Sequence, residues 1–382
     1  MNSSATDNVI AALGHSNRVR QVALSGLAGW QLEEILARMQ VPFPELTYLR
    51  LWSDVETLIP DSFLGGSAPR LRFFDLSGIP FPGLPKLLLS ATHLVEFNLY
   101  GIPHSGYISP QAMIALLSVL LSLKRLSIGF QSPQSFPGRE SRIIPPPKRS
   151  TLPALRRLYF KGVTEYLEEL VTCIDAPQLD QMHTTFFNQI DFDCPRLARF
   201  VNFSPALKER DEAHVRFHDE SASVALRYRT STFTVDDLGI NILCRQPDWQ
   251  LSSIEQVCNF SLHSLPNVED LYIEDLYWSS AWDNGAIENN LWLELLRPFT
   301  AVKDLYISIN FEPGIAAALQ DLYGDRITEV LPSLQNIFVE RLYTSRPFQE
   351  DIGQFIAARQ LLGRPVAISV SESGAGHGRI ND

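Results

Sequence analysis

The phrase LPALRRLYF at 152–160 sets Leu155, Leu158 and Phe160 in one spacing: an aliphatic or aromatic residue, two variable positions, a second, one variable position, a third. The same spacing returns at Val19/Val22/Leu24, Leu46/Leu49/Leu51, Leu71/Phe74/Leu76, Leu94/Phe97/Leu99, Leu123/Leu126/Ile128, Val268/Leu271/Ile273, Val302/Leu305/Ile307 and Leu334/Ile337/Val339, with a degraded copy at Leu179/Met182/Thr184. This is the LxxLxL core of a leucine-rich repeat, in which each unit supplies one short strand and a helical or irregular return. A single unit cannot bury its apolar edge, so neighbours stack and share a continuous core. The recurrence predicts an α/β leucine-rich-repeat solenoid, a horseshoe with a parallel concave sheet and helices on the convex side.

Between the strands the pattern predicts helices near 30–39, 109–121, 164–173, 253–263, 284–297, 313–323 and 348–361. Ser109 followed by Pro110 marks a helix start, because serine can accept a free amide and proline suits the first turn. Two segments depart from the repeat. QSPQSFPGRESRIIPPPKRST at 131–151 reads as an exposed Pro/Arg-rich loop. AHVRFHDESASVALRYR at 213–229 alternates around a polar tip, which predicts a β-hairpin that interrupts the array. The expected organisation is a lead-in over 1–16, an N-terminal array over 17–200, the hairpin interruption over 201–235, a C-terminal array over 236–370 and a tail over 371–382.

At 382 residues the chain exceeds what one core usually holds, as an elongated array would. Its four cysteines, Cys173, Cys194, Cys244 and Cys258, are far apart and form no CxxC pair, which suits buried thiols in a reducing compartment. The N-terminus lacks a basic and apolar leader, and the most apolar window, AMIALLSVLLSL, is too short to cross a bilayer. An intracellular, cytoplasmic or nuclear, non-membrane protein is expected. The net charge of −11 argues against general nucleic-acid binding. That charge is uneven: from Lys124 to Lys161 nine basic residues face one acid, whereas the stretch after Leu265 is markedly acidic.

Several loops carry more than the leucines do: DSFLGGSAPRLR (61–72), IPFPGLPKLLLSATHL (79–94), IPHSGYISPQAM (102–113), PPPKRSTLPAL (145–155) and KGVTEYLEELVTCIDAPQLDQM (161–182) with FFNQIDF after it. Over roughly residues 17 to 340 they resemble the leucine-rich-repeat F-box-type proteins of mushroom-forming fungi. The resemblance implies the substrate-receptor part of an SCF-type ubiquitin ligase, in which an F-box docks the Skp adaptor and cullin while the repeats hold a protein target. The first repeat strand begins at Val19, so the F-box is expected to be missing here, with Skp and cullin as partners only where one lies upstream. LIPDSFL at 58–64 is the nearest lookalike and falls inside the array. The alternative is a stand-alone repeat scaffold or ligand sensor not linked to ubiquitination.

Strand alternation turns the variable positions outward. The position between the last two leucines reads Arg50, Asp75, Asn98, Ser127, Tyr159, His183, then Tyr272, Tyr306 and Phe338. The expected partner-binding face is two-toned. Arg125, Arg157, Tyr159 and Lys161 form a basic patch, and Tyr272, Tyr306 and Phe338 form an aromatic ladder with Asp270, Asp304 and Glu340 around it. Exposed aromatics and arginines are what binding hot spots are made of, although cross-strand stacking that only stabilises the sheet is the plainer reading.

Catalysis, cofactors and metals find no support. His214 and His218 would stand roughly 13 Å apart on a strand, too far to share zinc. LGGSAP at 64–69 lacks the phosphate-loop lysine, GAGHG at 374–378 lacks a strand-then-helix context, and no GxSxG is present. Glu168 and Glu169 lie on a predicted helix and read as solvated. The basic loop at 137–149 reads as a solvated linker.

Overall fold

Each well-formed repeat begins with a tight turn that its first leucine closes. The amide of Leu46 donates to the Phe43 carbonyl, Leu71 to Ala68, Leu94 to Ala91, Leu123 to Leu120, Leu155 to Leu152 and Leu179 to Ala176. The turn drives that leucine inward, and all six are fully buried. The next two amides then fork onto one carbonyl of the preceding repeat, as Arg72 and Phe73 do onto Thr47, and Val95 and Glu96 onto Arg72. Neighbouring rungs are therefore in register before either strand begins.

The computed structural model describes residues 3–54, 57–133, 149–187, 194–208, 210–229, 237–259, 262, 264–275, 289–322, 324–341 and 352–372. The basic loop and the tail expected from the sequence lie almost wholly outside them. The chain divides into two compact units: Met1–Phe187 with Cys194–Ala206, and Asn188–Asp193 with Leu207–Asp382.

The first unit carries β1 (Gln21–Leu24), β2 (Tyr48–Trp52), β3 (Phe73–Ser77), β4 (Glu96–Ile102), β5 (Arg125–Phe130), β6 (Ser150–Thr151), β7 (Arg157–Gly162), β8 (Ile174–Asp175) and β9 (Gln181–Phe186). All but β6 and β8 form one parallel sheet in the order β1-β2-β3-β4-β5-β7-β9. β6 pairs with β8 in a separate short ribbon. The unit's helices are α1 (Ser3–Leu13) before the first strand and, in the returns, α2 (Gly29–Arg38), α3 (Leu84–Ser90), α4 (Pro110–Leu117), α5 (Thr164–Cys173) and α6 (Pro195–Phe203). Ser109 caps α4 as its sequence indicated, its Oγ accepting from the Ala112 amide at 3.2 Å. The helices bury their apolar sides with the strand leucines, and each fully buried leucine is worth about 1.5–3 kcal/mol. Ahead of β1, α1 packs on α2, where Gln31 Nε2 donates to Thr6 Oγ1 at 3.0 Å.

A single turn, α7 (Pro205–Lys208), precedes the second unit's strands: β10 (Glu212–His218), β11 (Ser221–Arg227), β12 (Leu238–Leu243), β13 (Asp270–Asp275), β14 (Asp304–Ile307), β15 (Asn336–Arg341) and β16 (Ala367–Glu372). Their order is β12-β11-β10-β13-β14-β15-β16, antiparallel from β12 to β10 and parallel from β10 onward. α8 (Pro247–Asn259), α9 (Asn289–Leu296), α10 (Glu312–Gln320) and a last helix, Gly353–Leu361, form the returns.

The expected hairpin exists, turning at Asp219–Glu220, but it does not interrupt the unit's sheet. β10 pairs with β13 from Glu212↔Asp270 to Phe217↔Asp275, and Glu269 and Asp270 fork their amides onto the Asp211 carbonyl as in any other repeat. β10 is a disguised rung: Arg210, Ala213 and Val215 occupy the three leucine positions. Arg210 is 3% exposed and pairs with Asp237 at 3.2 Å, with its guanidinium 4.1 Å from the Tyr228 ring centroid. β12, expected within a regular repeat array, instead runs antiparallel to β11. Buried Gln250 of α8 secures this corner, donating to the His218 and Cys244 carbonyls at 2.7 Å each. The four cysteines are buried and free.

Candidate functional site

The strand registers assemble the outward rows that the spacing anticipates. In the first unit Arg50, Asp75, Asn98, Ser127, Tyr159 and His183 are successive cross-strand partners. Arg50 reaches over to Asp75 at 3.0 Å, and Asp75, Asn98 and Ser127 are buried even though they face outward. The basic residues converge as the sequence suggests, with Arg125 beside Arg157 in register and Tyr159 and Lys161 farther along β7. Each has work within its own sheet, except Arg157, which is exposed. Arg125 pairs with Glu96 at 3.1 Å, Tyr159 stacks on His183 with centroids 5.1 Å apart, and Lys161 Nζ stands 5.9 Å from the Phe187 ring.

The second unit holds the longer aromatic row. Tyr272, Tyr306 and Phe338 are in-register partners, and their rings stack at 4.2 Å and 4.6 Å with interplanar angles of 5° and 10°. The ladder has a fourth member that the leucine spacing does not reveal. His214 of β10 stacks on Tyr272 at 4.5 Å and 6°, because Ala213 and Val215 stand in the leucine positions that flank it. Each stacked step contributes about 0.5–1.5 kcal/mol beyond its buried area. Stacking occupies the inner ring faces, so this row offers a partner ring edges, phenol hydroxyls and the outer side of Phe338, which neighbours Ser369 of β16.

Charged residues flank the ladder on both sides. The row before it runs Arg227, Glu212, Asp270, Asp304 and Asn336. Asp270 is 1% exposed, with Arg229 Nη2 on its Oδ1 at 3.1 Å and its Oδ2 buried without a hydrogen-bond partner among the described residues. Burial pushes its carboxyl up to about 6 against the pull of Arg229, and Asp304 adds to the rise. Asp304 accepts from Asn336 Nδ2 at 2.7 Å, while Arg229 itself stays exposed. Burial also raises the Tyr272 phenol, with Tyr306 and the nearby carboxylates adding to it.

On the other side, His214 links the two flanks. Its Nε2 meets Glu212 and its Nδ1 meets Glu274 at 3.0 Å; Arg227 backs Glu212, and Arg216 backs Glu274 at 3.0 Å. Burial would lower the His214 pKa, but the two carboxylates outweigh it and the net shift is upward. Burial would raise Glu274, yet His214 and Arg216 hold it down at about 2, and His214 and Arg227 likewise depress Glu212. The result is a charged chain, Arg227–Glu212–His214–Glu274–Arg216, laid across three strands. Glu340 lies exposed one position beyond the ladder on β15. Sequence reasoning set His214 aside as a metal candidate and passed over Glu212, Arg227 and Arg229. Aligning DEAHV with EDLYI places Glu212 and His214 on the rows of Asp270 and Tyr272, and the hairpin register then adds Arg227.

Chemically, this face is suited to recognition. Its acids and bases are held in ion pairs with one another, and among the described residues no cluster of His, Cys, Asp or Glu has metal-binding geometry. Among those residues no helix is long and apolar enough to cross a membrane. Compared with protein-family models and with curated proteins, the chain matches none. Among solved structures it is similar to the leucine-rich-repeat-containing protein LegL7 from Legionella pneumophila, at 12% identity and a TM-score of 0.34, with 90% of this chain and 97% of that one covered.

Proposed function

We propose that the chain is a leucine-rich-repeat solenoid that acts as a non-enzymatic protein-binding module, with the ladder face of its second unit as the capture surface. The observation that carries this reading is the in-register strip itself. Four stacked rings run between two charged rows, and Tyr272, Tyr306, Phe338, Asp304, Arg229 and Glu340 all keep part of their surface accessible. A rigid strip of aromatic edges with charges fixed beside it is what an interface hot spot requires. The loop resemblance adds the role: the substrate-receptor part of an F-box protein, with Skp and cullin as partners only where an F-box lies upstream. The second reading is a stand-alone repeat scaffold or ligand sensor not linked to ubiquitination, which the same stacked strip would serve.

Affinity capture with the full chain tests this. Replacing Tyr272, Tyr306 and Phe338 by serine removes the rings but also their stacking energy, and Arg229 is needed by buried Asp270, so the sharper variant is Glu340→Lys, which reverses an exposed charge beside the ladder. A protein retained by wild type and lost or weakened in this variant, at an unchanged melting temperature, supports the ladder as the capture surface; equal retention overturns it. Skp and cullin in the wild-type eluate assign the ligase role, and a captured target without them assigns the scaffold.

A further inference from the structure

Much of the positive charge in the first unit is tied to its own acids. Arg50 pairs with Asp75, Arg70 with Glu45, Arg125 with Glu96 and Arg156 with Asp180. Arg72, His93 and Lys124 are exposed and make no ion pair or side-chain hydrogen bond among the described residues. They converge with Arg70 on an open cavity of about 650 Å³ at the edge where the strands begin.

The repeat explains why a cavity forms there. Arg72, Val95 and Lys124 hold one position in three successive rungs: the Val95 amide donates to the Arg72 carbonyl, and the Lys124 amide to the Val95 carbonyl, each at 2.8 Å. With strands about 4.8 Å apart, the two cationic residues flank the short valine at roughly 10 Å between α-carbons. Val95, Ala154 and Leu121 give the cavity an apolar lining, and Leu121, 57% exposed, leaves most of its side chain open to a ligand.

We propose that this cavity binds an acidic peptide segment of a protein partner, with one apolar side chain on the Leu121 and Val95 surface and carboxylates on Arg72 and Lys124. Three features select that ligand. Side chains of an extended chain alternate and advance about 3.3 Å per residue, so carboxylates two positions before and two after one apolar residue share its face and span roughly 13 Å, which the long Arg72 and Lys124 side chains can reach from α-carbons roughly 10 Å apart. A single phosphate is a poorer match, because the amides that could cradle it already fork onto the carbonyls of Arg72 and Val95. A polynucleotide is poorer still, since no Phe, Tyr or Trp lines the cavity to stack a base and the chain carries −11 overall. The site lies in the first unit and does not depend on the ladder reading.

The test uses the full chain and a fluorescein-labelled peptide, GSGEELEEGSG, followed by anisotropy at low and physiological salt. Binding should weaken at least about tenfold in Arg72→Glu/Lys124→Glu, as like charges replace complementary ones, and several-fold in Leu121→Ser, with the circular-dichroism melts unchanged. A variant that fails to fold is replaced by Lys124→Gln, for which a smaller loss of the same sign is expected. Peptides with lysine for glutamate, or serine for the leucine, should bind less well than the parent. The proposal is overturned if wild type does not bind the peptide, if the double variant binds equally, or if the leucine is dispensable while inorganic phosphate or an oligothymidylate displaces the peptide, which would make this a general anion site.

Discussion

At the scale of single residues the second unit turns on His214, a histidine in the position that the neighbouring rungs give to Tyr272, Tyr306 and Phe338. A neutral imidazole has one N–H and could donate to only one of its two carboxylates, so the pair Glu212 and Glu274 favours the doubly protonated ring. Its folded-state pKa is raised, and the stability it adds is therefore fully present below the unfolded value near 6.5 and fades as pH rises through the folded value. The depressed Glu212 and Glu274 work in the opposite sense at the acid end, where their contribution fades as pH falls below the ordinary glutamate range. Asp270, raised to about 6, adds a further loss of stability as pH climbs from the ordinary aspartate range to that value. Comparing wild type with His214→Gln isolates the histidine, because the Asp270 contribution is common to both. Urea melts should show wild type ahead by about 1–3 kcal/mol at mildly acidic pH, with the gap closing in alkaline buffer; a gap that does not change with pH would show that the ring is neutral throughout. The aromatic residues were readable in the sequence because they alternate with leucines. Arg229 was not, since it reaches Asp270 from beyond the end of β11 and no strand period points to it.

At the scale of elements, β10 shows where the leucine template stops being informative. Its first position holds Arg210, which is charged yet buried, so the phrase reads as polar hairpin although its backbone bonding is that of a repeat. β16 was missed for a related reason: register with β15 puts Ile368 and Val370 in the second and third leucine positions, which leaves Pro365 in the first. Backbone bonding defines a rung, and leucines are only its commonest filling. Arg210 also supplies a test of that statement. Arg210→Ala should cost about 3–5 kcal/mol, because Asp237 keeps a half-buried charge without its partner. Arg210→Leu together with Asp237→Asn restores the ordinary filling and should recover most of the loss, as read from the midpoint of urea unfolding followed by far-UV circular dichroism. Recovery by Asp237→Asn alone, without the leucine, would mean that the arginine's place is not a core position.

On the whole-molecule scale, stability in a stacked array is close to a sum of rung terms and nearest-neighbour terms, so nothing forces 382 residues into one transition. The two compact units each hold a run of paired strands, a set of returns and fully buried leucines, for example Leu126 in β5 and Leu305 in β14. Truncating either leucine to alanine should cost about 2–5 kcal/mol locally. If the units unfold separately, differential scanning calorimetry of the wild type should give a calorimetric enthalpy larger than the van't Hoff enthalpy. Leu126→Ala and Leu305→Ala should then each move a different component of the trace. A single transition with equal enthalpies, shifted alike by both substitutions, would show that the rungs melt as one body and that damage to any of them reaches the ladder face.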